Sequence, residues 1–148
     1  MQTVTMKIKS LNAREVIDSR GRPTVEAEVN GSRAICPSGA SKGKYEAVEM
    51  RDGGKRFGGL GVQRAVDNVN KIIAKKIVGL DLDQKKLDSI LCELAGSNKW
   101  KLGGNATTAV SMAFCRASGN IYDYVKKQSG SKIGIPLPFM TVLNGGAH

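Results

Sequence analysis

At 148 residues the chain has the length of one ordinary domain, and its 41% hydrophobic and 24% charged content is that of a globular protein able to bury a core. No apolar run approaches the roughly 20 residues a membrane span needs, and Met1 to Lys7 lacks a basic segment leading into a long apolar one, so neither a membrane span nor a secretory signal is expected. The formal net charge of +10 suggests an anionic partner, but only 5% of residues are aromatic and no zinc-finger or RNP-type spacing occurs, which makes nucleic acid an unlikely main partner.

In chain order, Lys7 to Asp18 carries apolar residues in imperfect alternation (Ile8, Leu11, Ala13, Val16, Ile17) and ends in a turn at Ser19-Arg20-Gly21. Pro23 to Asn30 alternates cleanly, with Val25, Ala27 and Val29 on one face and Thr24, Glu26 and Glu28 on the other, as a half-buried strand does. Asn30-Gly31 is a hairpin signal, and Arg33 to Cys36 returns as a third strand. Three strands joined by tight turns read as an antiparallel meander.

The Gly-rich stretch Gly53 to Gly61 is irregular. A phosphate-loop reading fails because no Gly-Lys-Ser/Thr ending and no preceding buried strand accompany it. From Val62 the period becomes helical: Val62, Ala65, Val66, Val69, Ile72, Ile73 and Ile77 form one stripe, with Gly79 as a stop. A second helix starts at the N-cap Asp83 and runs through Leu87, Ile90, Leu91 and Leu94 to Gly96. Asn105 is expected to cap a third, from Ala106 to about Ala117, which is small or apolar nearly all round and should be buried. A shorter helix from about Ile121 to Gln128 precedes a flexible connection, Gly130 to Gly134, and an extended segment from Pro136 to Leu143. Strands first and helices after define an α+β fold, with about four helices on one face of a three-stranded antiparallel meander. The odd number and wide spacing of Cys36, Cys92 and Cys115 fit reduced, buried thiols of a cytoplasmic protein better than a disulfide framework or a zinc site. Solvated helix faces account for most of the lysines, which are spread along the helical stretches rather than clustered.

The most chemically suggestive stretch is Cys36-Pro37-Ser38-Gly39-Ala40-Ser41-Lys42-Gly43-Lys44-Tyr45-Glu46. Its glycines let backbone groups approach a ligand, and its small hydroxyl residues offer oxygens to a hard cation or a phosphate. Taken by itself, such a stretch is as readily a surface turn between a strand and a helical region. Glu46, Glu49 and Asp52 are acidic and near this loop; their spacing would allow a general acid and base, but acidic residues beside a helix or turn N-terminus are the commoner arrangement.

With Asp18-Ser19-Arg20-Gly21-Arg22-Pro23-Thr24-Val25-Glu26 before this loop, Glu46-Ala47-Val48-Glu49-Met50-Arg51-Asp52-Gly53 after it and Leu143-Asn144-Gly145-Gly146-Ala147-His148 at the end, the ordered set closely resembles the amino-terminal portion of the enolases, the phosphopyruvate hydratases of glycolysis. Gly61 to Asn70 and Gly104-Asn105-Ala106 also look like that family, so the resemblance covers nearly the whole chain. It implies a capping domain over residues 1–135, a link over 136–148, and a barrel domain that would follow His148. It also implies magnesium, two ions in the complete enzyme, and reversible dehydration of 2-phosphoglycerate to phosphoenolpyruvate. Proton removal would fall to a lysine of the barrel.

On the same resemblance Ser41 supplies oxygen to the second magnesium, Ala40 and His148 face the substrate, and Arg14, Arg20 and Glu26 lie at the interface of a homodimer or higher oligomer. No catalytic group of the barrel can be placed on this chain, which alone is expected to be inactive. Lys42 stands where the family commonly has threonine; a cation there would weaken the second metal electrostatically or contact substrate phosphate instead. Two other readings remain open at this point: a non-catalytic module whose basic surface binds an acidic protein or nucleic acid, and an acid-sugar or amino-acid enzyme of the same superfamily. The Ser-Gly-Ala-Ser and Asn-Gly-Gly-Ala-His patterns favour enolase proper over the second.

Overall fold

A short strand, β1 (Met6–Lys7), leads into a meander of β2 (Leu11–Ile17), β3 (Pro23–Val29) and β4 (Ser32–Cys36). The computed structural model describes residues 5–39 and 41–143. The meander has the order β2-β3-β4, both pairings antiparallel, with Ala13 opposite Ala27 and Ala27 opposite Ala34. Asn30 and Gly31 turn β3 into β4 with φ values of 50° and 86°, as a two-residue hairpin of their type requires. The Asn30 side chain does more than turn: it accepts from the Lys9 amide at 2.7 Å and donates to the Lys7 carbonyl at 2.8 Å, so the hairpin also holds the β1–β2 connection. At the other end Asp18 accepts from the amides of Arg20 and Arg22, which closes the β2–β3 turn.

The long apolar stripe becomes one helical rod in three pieces: α1 (Gln63–Asp67), a π-helical segment at Asn68–Ile73, and α2 (Ala74–Ile77). Val62, Ala65, Val69, Ile73 and Ile77 are buried as expected, but Ile72 is 45% exposed. Neighbouring helix positions point about 100° apart, so Ile72 and Ile73 cannot both face the core. Within the π segment, Asn70 accepts from the Ala13 amide at 2.7 Å and donates to its carbonyl at 3.0 Å, tying the rod to β2. Beyond Gly79, β5 (Asp81–Leu82) pairs with β1, a two-residue contact too short to leave a periodic signal.

Helix α3 (Gln84–Ala95) begins as its sequence indicates, with Asp83 accepting from the Lys86 amide at 2.8 Å, and stops at Gly96. Helix α4 (Gly104–Ala117) corrects one expectation: Gly103, not Asn105, is the N-cap residue, and Asn105 lies in the first turn with its side chain turned inward. There it accepts from the Met50 amide and donates to the Met50 carbonyl, both at 3.1 Å. Gly103 is required at this junction, because a Cβ would stand 2.5 Å from the Asn105 Oδ1 and 2.7 Å from the Met50 Cβ, at a φ of +95°. Helix α5 (Ile121–Ser129) is capped by Asn120 and ended by Gly130 at φ 68°.

The core lies where α4 crosses the inner face of β3 and β4. Phe114, Val110, Ala113 and Ala106 meet Val25, Ala27, Val29 and Ala34, and the rod and α3 close the sides with Ile73, Ile77, Leu87 and Leu91. Each large apolar side chain buried in this way contributes about 1.5–3 kcal/mol. Residues 130–143 form neither helix nor strand, and Ile135, Leu137, Phe139, Val142 and Leu143 are exposed. The three cysteines are free, but not buried as expected: Cys36 and Cys115 are half-buried and Cys92 is exposed, because α3 turns that face to solvent. Among the described residues no helix is long and apolar enough to cross a membrane.

Candidate functional site

The loop after β4 is fixed at both ends. Its amino-terminal end is held at Ser38, whose hydroxyl donates to Glu49 and accepts from the Arg51 guanidinium at 2.5 Å. Arg51 also donates to the Glu49 carboxylate and to the carbonyls of Pro23 and Leu60, each at 2.6 Å. One planar fork therefore joins the start of β3, the loop base and the chain before α1, a geometry available to arginine and not to lysine. Arg20 adds a longer contact, 3.4 Å, to the Ser38 carbonyl.

The other end is closed by a short turn in which the Glu46 carboxylate accepts from the Gly43 amide at 2.9 Å. The next residues are clamped between two helical regions: the Val48 amide donates to Asn98 and the Gly104 amide to Val48, both at 2.7 Å. Met50 is then gripped by Asn105. A Cβ on Gly104 would come within 2.9 Å of the Ala47 side chain, so the close seating of this segment on α4 depends on glycine there.

Between these anchors Ser41, Lys42, Lys44 and Tyr45 are exposed. A cavity of about 180 Å³ under the loop is lined by Arg22, Ser38, Ser41, Lys42, Glu46 and Glu49, together with Arg51 and others. Three cations and two carboxylates thus line the same cavity as Ser41. Neither carboxylate is uncommitted, since Glu49 is paired with Arg51 and Glu46 holds the turn. Among the described residues no group of three or more His, Cys, Asp or Glu side chains could hold a metal ion. A magnesium ion wants several hard oxygens in octahedral array, and this chain's described residues offer Ser41 as one. They do not make a magnesium site by themselves.

The acidic residues near the loop are structural here. Besides Glu46 and Glu49, Asp52 reaches forward to accept from the amides of Gln63 and Arg64, both at 2.9 Å, and so caps α1, whose own first residue supplies no side-chain cap. Glu15 accepts from the Val62 amide at 2.7 Å and pairs with Arg56. Arg56 beside it and the Val62 amide hold the Glu15 carboxyl below the usual glutamate range despite its burial. Burial and the nearby Glu49 charge push the Cys36 thiol up, so it is a poor nucleophile at neutral pH.

The structure brings Arg14 and Glu26 together as an ion pair on the outer face of the meander, with Arg33 at 4.0 Å. It places Arg20 elsewhere, against the loop base. Ala40 and His148 lie outside the described residues. Sequence reasoning missed Ser38, Arg51 and Asn105; the first two meet Pro23 and Leu60 only through the tertiary fold, and an asparagine at a helix start reads as a cap.

A small meander backed by helices, presenting an anchored serine loop at its edge, defines an α+β domain of the capping type. The family model described as "Enolase, N-terminal domain" matches residues 8–125. Enolase 2 of Methanospirillum hungatei JF-1 is 53% identical over 96% of this chain, and the enolase of Thermococcus gammatolerans is 48% identical over 96%. In both cases the chain spans 35% of the relative's length. The chain belongs to the enolase family and corresponds to its amino-terminal domain.

Proposed function

We propose that this chain is the capping domain of a cytoplasmic, magnesium-dependent enolase that, as the full-length protein, interconverts 2-phosphoglycerate and phosphoenolpyruvate. The observation that carries the reading is the serine loop itself: the family match runs through it, its two ends are pinned, and Ser41 is left exposed between them. Ser41 gives an oxygen to a magnesium site whose carboxylates come from the barrel domain of the relatives. Magnesium supplies Lewis-acid stabilisation of the negative charge that develops when a very weakly acidic carbon loses its proton.

The residues of this chain bind and enclose. Ala40 and His148 face the substrate, and the loop closes over it to exclude water. Lys42 and Arg22 line the cavity with positive charge, which favours an anionic substrate. Arg14, Arg20 and Glu26 serve the interface of a homodimer or higher oligomer. The 148 residues alone give no turnover.

The test is Ser41→Ala in the full-length protein, assayed for phosphoenolpyruvate formation over a magnesium titration. The expected outcome is a magnesium requirement raised about tenfold or more, the scale seen when support of a metal site is lost. An unchanged titration overturns the metal role, and turnover by the 148-residue chain alone overturns its reading as an incomplete site.

A further inference from the structure

We infer that Cys92 and Lys99 form an oxidation site, in which the Lys99 amine captures the oxidised Cys92 sulfur as a covalent N–S link between α3 and the turn that leads into α4. The Lys99 Nζ stands 3.1 Å from the Cys92 Sγ, already within the range of a bond-forming approach. Backbone bonds hold both partners. The Cys92 carbonyl accepts from the Gly96 amide at 3.0 Å, and the Lys99 amide donates to the Gly96 carbonyl at 3.2 Å. On its other side the Lys99 carbonyl accepts from the Gly103 amide at 2.8 Å. Asn98 and Lys99 take left-handed φ values of 52° and 59°, uncommon for residues other than glycine, and this turn sets the lysine against α3. Cys92 is exposed, whereas Cys36 and Cys115 are half-buried and burial pushes both of their thiols up. A cavity of about 290 Å³ beside the pair, lined also by Asp88, Thr108 and Ser111, admits a small oxidant.

The oxidant is a hydroperoxide. In the first step the Cys92 sulfur, as thiolate, attacks one peroxide oxygen, the O–O bond breaks, and the departing hydroxide takes the thiol's proton as water. The peroxide is reduced, and the sulfur is left as a sulfenic acid. In the second step the Lys99 ammonium gives one proton to solvent and its free amine attacks the same sulfur. The N–S bond forms, the S–O bond breaks, and the hydroxide leaves as water with a second proton from the nitrogen, the condensation known for sulfenic acids and backbone nitrogen. Because the nitrogen is already beside the sulfur, this step is intramolecular and outpaces attack by further peroxide. The link closes across Asn98, whose carbonyl accepts from the Val48 amide at 2.7 Å, so it locks the turn that clamps the segment after the serine loop. A thiol reductant, by attacking the sulfur and returning the amine, opens it again.

The experiment treats the full-length protein with an equimolar amount of hydrogen peroxide and reads the intact mass and a tryptic map without reductant. The expected product is about 2 Da lighter than the untreated protein. In the map the peptide 87–99 gives way to 87–101, because a linked Lys99 is no longer cut, and dithiothreitol restores both the mass and the cleavage. Lys99→Arg keeps the positive charge but removes the nucleophilic amine. It should stop at the sulfenic acid, about 16 Da heavier and captured by dimedone at Cys92, with cleavage after position 99 intact. Cys92→Ser should show neither change within this peptide. Sulfenic or sulfinic acid at Cys92 of the wild type, with the peptide 87–99 still released, overturns the link. Oxidation of Cys36 or Cys115 while Cys92 stays a free thiol overturns the site itself. Cys92→Ser, at an exposed position, serves as the control should Lys99→Arg fail to fold, and the wild-type map alone still decides whether the link forms.

Discussion

Two glycine-rich stretches lie close together in this chain and behave as opposites. Between Asp52 and Gly61 the backbone is bonded to itself, with the Asp52 amide on the Gly61 carbonyl at 2.8 Å and the Gly53 amide on Gly59 at 3.1 Å. Two carboxylates, Asp52 at the head of the stretch and Glu15 from β2, hold the amides at the start of α1. A Cβ on Gly61 would stand 2.5 Å from the Asp52 carboxylate, so glycine there makes room for a cap. Between Ser38 and Glu46, by contrast, the described backbone is bonded only near its ends, and a Cβ on Gly43 would meet nothing within 4 Å. Gly61 in the first stretch serves the fold, while Gly43 in the second faces open space. The number of glycines does not separate them; the destination of their neighbours' amides does.

Asp52→Ala should break the closed stretch most clearly. Losing an acceptor for two helical amides is expected to lower stability by about 1–2 kcal/mol, read as a lower urea midpoint at unchanged slope. On the reading proposed above, the magnesium response of the full-length protein should not change.

The pH dependence sharpens the same contrast. Glu15 and Asp18 titrate below their ordinary values of 4.5 and 3.8, Glu15 chiefly through Arg56 and Asp18 chiefly through the Arg22 amide. The unfolded chain therefore binds more protons in that window. The stability these groups give is complete above the ordinary carboxylate range and is lost as pH falls through it to the folded values. Glu15→Gln should flatten the acid limb of an unfolding-versus-pH curve.

The smallest stability effect is expected at Gly43→Ala, within about 0.5 kcal/mol of the wild type. On the reading proposed above, the magnesium response should move instead, since an alanine narrows the backbone conformations open at position 43. A loss of stability as large as that of Asp52→Ala would mean that the loop is packed in solution.

Much of the fold could be read from the chain because its strongest signals are local. The Val25-Ala27-Val29 alternation, the Asn30-Gly31 turn, the Asp83 cap and the small-residue run of α4 each depend on neighbours within a few positions. The β1–β5 pair could not be read, because two residues have no period. The exposure of Ile72 follows from its competition with Ile73 for one core-facing position. For the candidate site, the loop and Ser41 were legible through their residue types and order, while the anchors were not. Arg51 looks like any charged residue after a loop, and its four acceptors come from four separate places in the sequence. Arg20 and Glu26 read alike on paper, yet one lies against the loop base and the other on the sheet face.

The asparagine that ties the helical rod to β2 has a consequence for the molecule among its own copies. β2 is an edge of the meander, and an edge with free amide and carbonyl groups invites a foreign strand to pair with it. In the middle of that edge both groups of Ala13 are already engaged by the side-chain amide of Asn70, which imitates the peptide of a neighbouring strand. A strand from another chain would have to displace this amide before it could run the length of β2. One side chain thus joins helix to sheet and occupies the middle of an edge that another strand could otherwise pair with.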